Sequence, residues 1–92
     1  MEKQEQVEQW IANGEKAFKK RDYKKALQWF RKAAEQDDDR AMKRIGDMYF
    51  CGWGVKEDWV IARDWYDKAY DKGNSEAGMQ IEKMIHIIEL SI

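Results

Sequence analysis

Apolar residues recur every three or four positions through most of this chain, which is the period of an amphipathic helix. Between residues 41 and 51, for example, Ala41, Ile45 and Met48 fall on one helical face. Similar stripes run through residues 5–20, 22–36, 58–73 and 74–92. The pattern therefore predicts five helices. The lack of proline and the abundance of alanine, lysine and glutamate also favour an all-helical chain.

Glycine and aspartate residues mark where the predicted helices begin and end. Gly52 and Gly54 interrupt the apolar pattern within three residues, as a tight chain reversal requires. Asp58 is a predicted N-cap, because its carboxylate can accept hydrogen bonds from the free amides of the next turn. Gly73 is predicted to end the fourth helix in the left-handed conformation, and Asp37 stands at the corresponding place after the second helix.

The sequence repeats itself at an interval of just over 30 residues. Gly14 corresponds to Gly46 at an offset of 32, whereas Asp22 corresponds to Asp58 at an offset of 36. The four additional residues lie in the central loop around residues 51–54. Further matches at the larger offset are Ala26 with Ala62, Trp29 with Trp65, Phe30 with Tyr66, and Ala33 with Ala69.

Small and aromatic residues at fixed places in residues 41–73 carry a family resemblance. They are Ala41, Gly46, Tyr49, Gly52, Gly54, Val55, Asp58, Ala62, Trp65, Tyr66, Lys68, Ala69 and Gly73, followed by Asn74. In this register the segment resembles a Sel1-like (Sel-one-like) repeat, a longer-looped relative of the tetratricopeptide repeat. Residues 5–40 resemble a tetratricopeptide-like helix pair in loop length, and residues 74–92 resemble a C-terminal capping helix.

The resemblance implies an all-α fold in a single domain, residues 1–92. The expected architecture is an α-α right-handed superhelix, or solenoid, of five antiparallel helices in about two and a half repeats. It also implies a non-enzymatic protein–protein interaction module, an adaptor or scaffold. Proteins of this class usually bind a peptide or a partner helix on the inner face, which the first helix of each pair forms.

Alignment with such repeats places nine partner-binding residues on that inner face: Ile11, Phe18, Lys19, Lys43, Asp47, Phe50, Lys83, His86 and Ile87. Phe18 and Phe50 correspond at an offset of 32, so they are either aromatic anchors in one groove or residues that pack between helices. Trp53 lies between two loop glycines, where it either clamps the loop onto the fold or contacts the partner.

Composition indicates no catalytic chemistry and no cofactor. Cys51 and His86 are the single cysteine and the single histidine, so neither a metal site nor a nucleophilic pair is indicated. The lone cysteine and the polar segment 1–6 predict a cytoplasmic protein without a signal peptide. No apolar run approaches the length that a membrane span needs, so no membrane association is expected.

Two alternative functions remain open from the sequence. A small bacterial module of this kind can also be an inhibitor or a toxin-neutralising immunity protein with one dedicated partner. The net charge is only −1, but eight lysines and arginines lie in the hairpin from Lys16 to Lys32 against a single acidic residue, Asp22. That basic hairpin would suit a nucleic-acid-associated regulator, although no recognition motif accompanies it, which makes nucleic acid the weaker expectation.

The last predicted helix carries more apolar residues than one face can hold. Its main stripe, which is expected to dock on the second helix pair, consists of Ile81, Met84, Ile85 and Ile88. A second set lies outside that stripe and comprises Met79, Ile87, Leu90 and Ile92. Because large exposed apolar patches are uncommon on monomers, this helix is either a frayed apolar tail or a surface for homodimerisation or partner docking.

Overall fold

The computed structural model describes residues 2–91 and contains five helices and no strand within that range. The helices are α1 (Glu2–Lys19), α2 (Tyr23–Glu35), α3 (Asp39–Cys51), α4 (Trp59–Asp71) and α5 (Ser75–Ser91). Each helix packs mainly on its neighbours in chain order, α1 on α2, α2 on α3, α3 on α4 and α4 on α5. The molecule is accordingly elongated, 48 × 27 × 16 Å. The predicted all-α solenoid-like fold is confirmed.

Side-chain caps fix the start of each of the last four helices. Asp58 accepts a hydrogen bond from the backbone N–H of Ile61, as predicted, and Asp22 and Asp38 cap α2 and α3 in the same way. The Asn74 side-chain oxygen accepts from the N–H of Ala77 at the start of α5. These four caps satisfy amides that would otherwise lack a partner in the first helical turn.

Left-handed residues turn the chain between helices. Gly73 has φ +96° between α4 and α5, and Asp37 has φ +63° between α2 and α3. Both were predicted to occupy this conformation. A third left-handed residue, Arg21 with φ +63°, joins α1 to α2 and has no signal in the sequence. Short left-handed connections reverse the chain within a few residues, which makes successive helices antiparallel.

An aromatic ring over a glycine joins the two helices of each pair. A Cβ atom on Gly46 would come within 2.7 Å of the Tyr66 ring, and one on Gly14 within 2.6 Å of the Phe30 ring. Phe30 and Tyr66 are both almost fully buried. The helices therefore approach each other closely because glycine leaves room for the ring. Around these contacts lies a core that is largely alanine, with Val7, Leu27, Met42, Ile45, Met48 and Met84.

The last helix is less covered than its sequence predicts. Met84 is buried and Ile81 is half-buried on the second helix pair, as expected. Ile85 and Ile88, however, are 41% and 49% exposed, so their predicted docking is wrong. The reason is length and position: α5 has 17 residues against 13 in α3 and α4, and no further helix within residues 2–91 covers its other side.

The second apolar set of this helix is exposed as expected, with Met79, Ile87 and Leu90 all open to solvent. Ile92, which was assigned to the same set, lies outside the described residues.

We expect Gly46→Val to lower the free energy of unfolding by about 2–3 kcal/mol, because the new side chain meets the buried Tyr66 ring. Gly78→Val is the matched control. A Cβ at Gly78 also comes within 2.8 Å of a tyrosine ring, but that ring belongs to Tyr70, which is 57% exposed and free to move. Urea unfolding followed by circular dichroism measures both variants. Equal losses in the two would contradict the ring-on-glycine account.

Candidate functional site

The first helices of the repeats, α1, α3 and α5, form one side of the molecule with three adjoining cavities of about 290, 260 and 210 Å³. The cavities adjoin because neighbouring ones share lining residues: Arg44 lies between two of them, and Lys83 and Lys43 each border two. We call this continuous surface the inner groove.

One end of the inner groove is aromatic. Phe18 of α1 meets Trp53 edge-on, with ring centroids 5.2 Å apart, and Trp53 stacks on Tyr23 at 5.6 Å. Phe50 of α3 stacks on Trp59 at 4.7 Å. Phe18, Phe50 and Trp53 are all half-buried and line the same cavity. Each ring is thus held by a neighbouring ring while part of its surface faces the groove.

The Trp53 contacts explain how the long loop after α3 is held. Gly52 and Gly54, both left-handed, flank the tryptophan and let the loop turn back. A Cβ on Gly54 would come within 2.9 Å of the Tyr23 Cβ, so only glycine fits there. Trp53 then packs on the first helix pair through Phe18 and Tyr23, which is the clamp that the sequence left as one of two interpretations.

Arginines of α3 tie it to α1 along the floor of the groove. Arg44 donates to both carboxylate oxygens of Glu15, at 2.6 and 2.8 Å, and lies 4.9 Å from the Phe18 ring centroid. The hydrogen bonds that Arg44 donates to Glu15 raise the pKa of the Arg44 guanidinium. Arg40 pairs with Glu8, whose pKa it lowers chiefly by hydrogen bonding. These two-pronged ion pairs fix the position of both arginines.

A buried carboxylate lies between α3 and α4. Asp47 is only 7% exposed, accepts a hydrogen bond from the Tyr66 hydroxyl at 2.5 Å, and pairs with Lys43 at 2.8 Å. Burial, and then the hydrogen bond to Asp47, raise the pKa of the Tyr66 hydroxyl well above its usual range. The same tyrosine ring covers Gly46, so one side chain closes the helix pair and positions a charge at the groove.

The structure brings most of the sequence-derived site residues together. Seven line the inner groove, namely Ile11, Phe18, Lys43, Asp47, Phe50, Trp53 and Lys83. Lys19, His86 and Ile87 are exposed and line none of its three cavities. Arg44 and Gln80 line the groove but were missed. Arg44 lies three residues before Asp47 on one helical face, and this spacing could have identified it as a groove residue. No such spacing identifies Gln80.

The thiol of Cys51 and the possible metal ligands give no indication of a reactive or metal-binding site within the described residues. Cys51 is exposed, and its pKa is raised by partial burial and by the nearby carboxylates of Asp47 and Glu57, which disfavours the reactive thiolate. Among residues 2–91 no group of three His, Cys, Asp or Glu side chains is placed to hold a metal ion. Within the same range, no helix has both the length and the apolar character that crossing a membrane requires.

Two further cavities lie outside the inner groove. In the basic hairpin, Lys16, Lys20 and Lys25 surround a cavity of about 360 Å³ that also includes Trp29. The larger of the two, about 510 Å³, lies between α2 and α4 and is lined by Trp65 and by side chains of both charges. The Lys68 ammonium lies 4.7 Å from the Trp65 ring centroid, within the lining of that cavity. Trp29 and Trp65 are thus half-buried at equivalent places.

Comparison with known proteins identifies the repeat. The model of the Sel1 repeat family matches residues 9–38 and 39–74. The chain belongs to the Sel1 repeat family. Both helix pairs are matched, including the first, whose shorter loop resembles that of a tetratricopeptide unit. Sel1 repeats generally mediate protein–protein interactions, and proteins built from them are typically non-enzymatic scaffolds.

A solved structure shares this Sel1 fold. It is the crystal structure of a protective antigen present in uropathogenic Escherichia coli strains, which displays an SLR fold. The similarity has a TM-score of 0.64 and 44% sequence identity, and it covers 66% of this chain but 13% of the antigen chain. The present chain therefore spans only a small part of that relative's length. No curated protein matches the chain.

We expect Tyr66→Phe to lower the free energy of unfolding by about 1.5–3 kcal/mol, since it removes a hydrogen bond to a buried charge. The ring that packs on Gly46 is kept, so the loss reports on the hydroxyl alone. Chemical denaturation at neutral pH gives the value. Tyr49→Phe is the control, because the Tyr49 hydroxyl accepts an exposed hydrogen bond from Arg31. An equally large loss in that variant would contradict the special role of the hydrogen bond to Asp47.

Stability should also fall in alkali because of Tyr66. Its pKa is raised in the folded state above the ordinary 10.0, so the unfolded chain loses this proton first. The stability that the protonated Tyr66 hydroxyl contributes is fully present below that ordinary pKa. It is lost as the pH rises beyond it. Between about pH 8 and pH 11 the wild type should lose about 1.4 kcal/mol more than Tyr66→Phe, measured by urea unfolding. Parallel losses in the two proteins would contradict this assignment.

Proposed function

We propose that this Sel1 repeat chain is a non-enzymatic adaptor that binds a short peptide or one helix of a partner protein in the inner groove. The observation that carries the proposal is the aromatic end of that groove. Phe18, Phe50 and Trp53 are half-buried there around one cavity, beside the lysine Lys83. The family's general role in protein–protein interaction supports the same function.

The aromatic rings suit an anchor for an apolar side chain. Interface energy is usually concentrated in a few aromatic and arginine residues within desolvated pockets. Here the rings are already fixed by stacking on Tyr23 and Trp59, so a ligand would not have to order them. Arg44 is fixed likewise by Glu15. Rigid anchors of this type lower the entropic cost of binding.

The charges of the groove indicate how a ligand is oriented. Lys43 and Arg44 are neutralised by Asp47 and Glu15. Lys83, in contrast, makes no ion pair within the described part of the chain and borders two of the three cavities. A ligand that carries both an apolar residue and a carboxylate would match the aromatic end and Lys83.

The test is affinity capture from a lysate of the source cell with the purified, tagged chain. We expect a partner that wild type retains and that Phe18→Glu/Phe50→Glu loses by at least about tenfold, a change of about 1.4 kcal/mol. The matched control is Val60→Glu/Ile61→Glu, which places two glutamates on exposed apolar positions of α4 outside the groove. Circular dichroism must show that both variants fold.

Each outcome of the capture experiment has a distinct meaning. Loss of the partner in the phenylalanine variant alone supports the groove. Equal retention by both variants contradicts it. Capture of one stoichiometric partner whose activity the chain suppresses would make the adaptor an inhibitor or an immunity protein, acting through the same groove.

A further inference from the structure

One side of α5 carries an apolar stripe that the rest of residues 2–91 covers only in part. Ile85 and Ile88 are 41% and 49% exposed, and Ile81 beside them is half-buried. Tyr70 of α4 is also exposed and lies against Gly78, at the other end of α5. The adjoining side of α5 is occupied, because Ala77 and Met84 are buried on the second helix pair, and Ile88 lies one turn beyond Met84. We call this uncovered surface the open face.

Repeat equivalence shows what kind of element fits the open face. At the offset of 36, Glu82 of α5 corresponds to Gly46 of α3, the residue on which α4 packs through Tyr66. Ile85 lies one turn further along the same side. The open face is therefore the surface that a second helix of the pair covers in the complete repeats. A helix lying antiparallel to α5 is the matching shape.

Glutamates at the edge of the apolar stripe of α5 indicate which charge a helix bound there should carry. Glu82 stands where the complete repeat has glycine, and Glu89 follows it by seven residues, which places both on one flank of α5. The nearest lysine of α5, Lys83, lies on the other side and lines the inner groove. The flank of the open face is thus acidic.

From these observations we infer that the open face binds an amphipathic helix of another protein, with an apolar stripe toward Ile85 and Ile88 and lysines or arginines beside Glu82 and Glu89. Because a glutamate replaces the glycine, this helix lies further from α5 than α4 lies from α3. Basic residues of that helix are then attracted by the glutamates, and the larger spacing leaves room for their long side chains.

The same charges disfavour a second copy of this chain as the occupant. A symmetric dimer through α5 would bring two identical faces together across a two-fold axis. In an antiparallel pair of helices the same flank faces itself, so Glu82 and Glu89 would meet the glutamates of the other copy. Like charges in that arrangement oppose association. A helix with the opposite charge does not meet this repulsion.

Two peptides cut from this chain serve as probes, because both are natural second helices of a repeat. Peptide 23–35 carries four basic residues and one acidic residue, and peptide 59–71 carries two basic and three acidic. Both have 13 residues and an apolar face, so the cost of ordering them is comparable. Fluorescence anisotropy with the full chain should show peptide 23–35 binding at least about tenfold more tightly than peptide 59–71.

Variants of exposed residues locate the binding on the open face. Ile85→Asp should weaken peptide 23–35 by at least about tenfold, whereas Leu90→Asp, on the far side of the same helix and 74% exposed, should leave it unchanged. Glu82→Lys/Glu89→Lys should reverse the preference between the two peptides. Phe18→Glu/Phe50→Glu should have no effect, because the inner groove is a separate surface. This inference therefore stands or falls independently of the proposed groove function.

Several results would overturn the inference. They are absence of binding by either peptide, equal affinity for both, or unchanged binding in Ile85→Asp. Light scattering that shows a wild-type dimer, dissolved by Ile85→Asp, would assign the open face to a second copy instead. The residues substituted in α5 are all exposed, whereas Phe18 and Phe50 are half-buried, and thermal unfolding by circular dichroism should confirm that each variant remains folded.

Discussion

The close approach of two helices over a glycine is the contact on which the rest of this molecule depends. Tyr66 covers Gly46, and its hydroxyl reaches the buried carboxylate of Asp47 one residue later. The carboxylate in turn holds Lys43 at the groove. One side chain therefore determines helix spacing, polar satisfaction in the core and the position of a charge on the binding surface. In the first pair Phe30 covers Gly14 without a hydroxyl, so only the spacing is repeated there.

The local features of this fold could be predicted because they depend on neighbouring residues alone. The Asp58 cap and the left-handed Gly73 and Asp37 follow from backbone chemistry, and the repeat offset of 36 gives the helix pairs. Phe18 and Phe50 could be assigned to one groove because they share a repeat position. These signals need no knowledge of distant contacts.

Features that depend on the arrangement of whole helices could not be predicted. Ile85 and Ile88 have the spacing of a buried stripe, and they are exposed because no second helix within residues 2–91 packs on that side of α5. Arg44 is part of the groove because Glu15, 29 residues earlier, lies opposite it. Helical spacing gives the face on which such a residue lies. It does not give the partner helix or how far that partner extends.

The loop that carries Trp53 has a consequence for how the chain unfolds. In a repeat array, stability is a sum of units and their nearest-neighbour interfaces, so weakly coupled units can unfold one at a time. Trp53 belongs to the second pair but packs on Phe18 and Tyr23, in the first helix and at the start of the second. It adds an interface beyond the packing of α2 on α3. Opening either pair therefore removes aromatic contacts from the other, and this coupling favours unfolding of the two repeats as one cooperative unit.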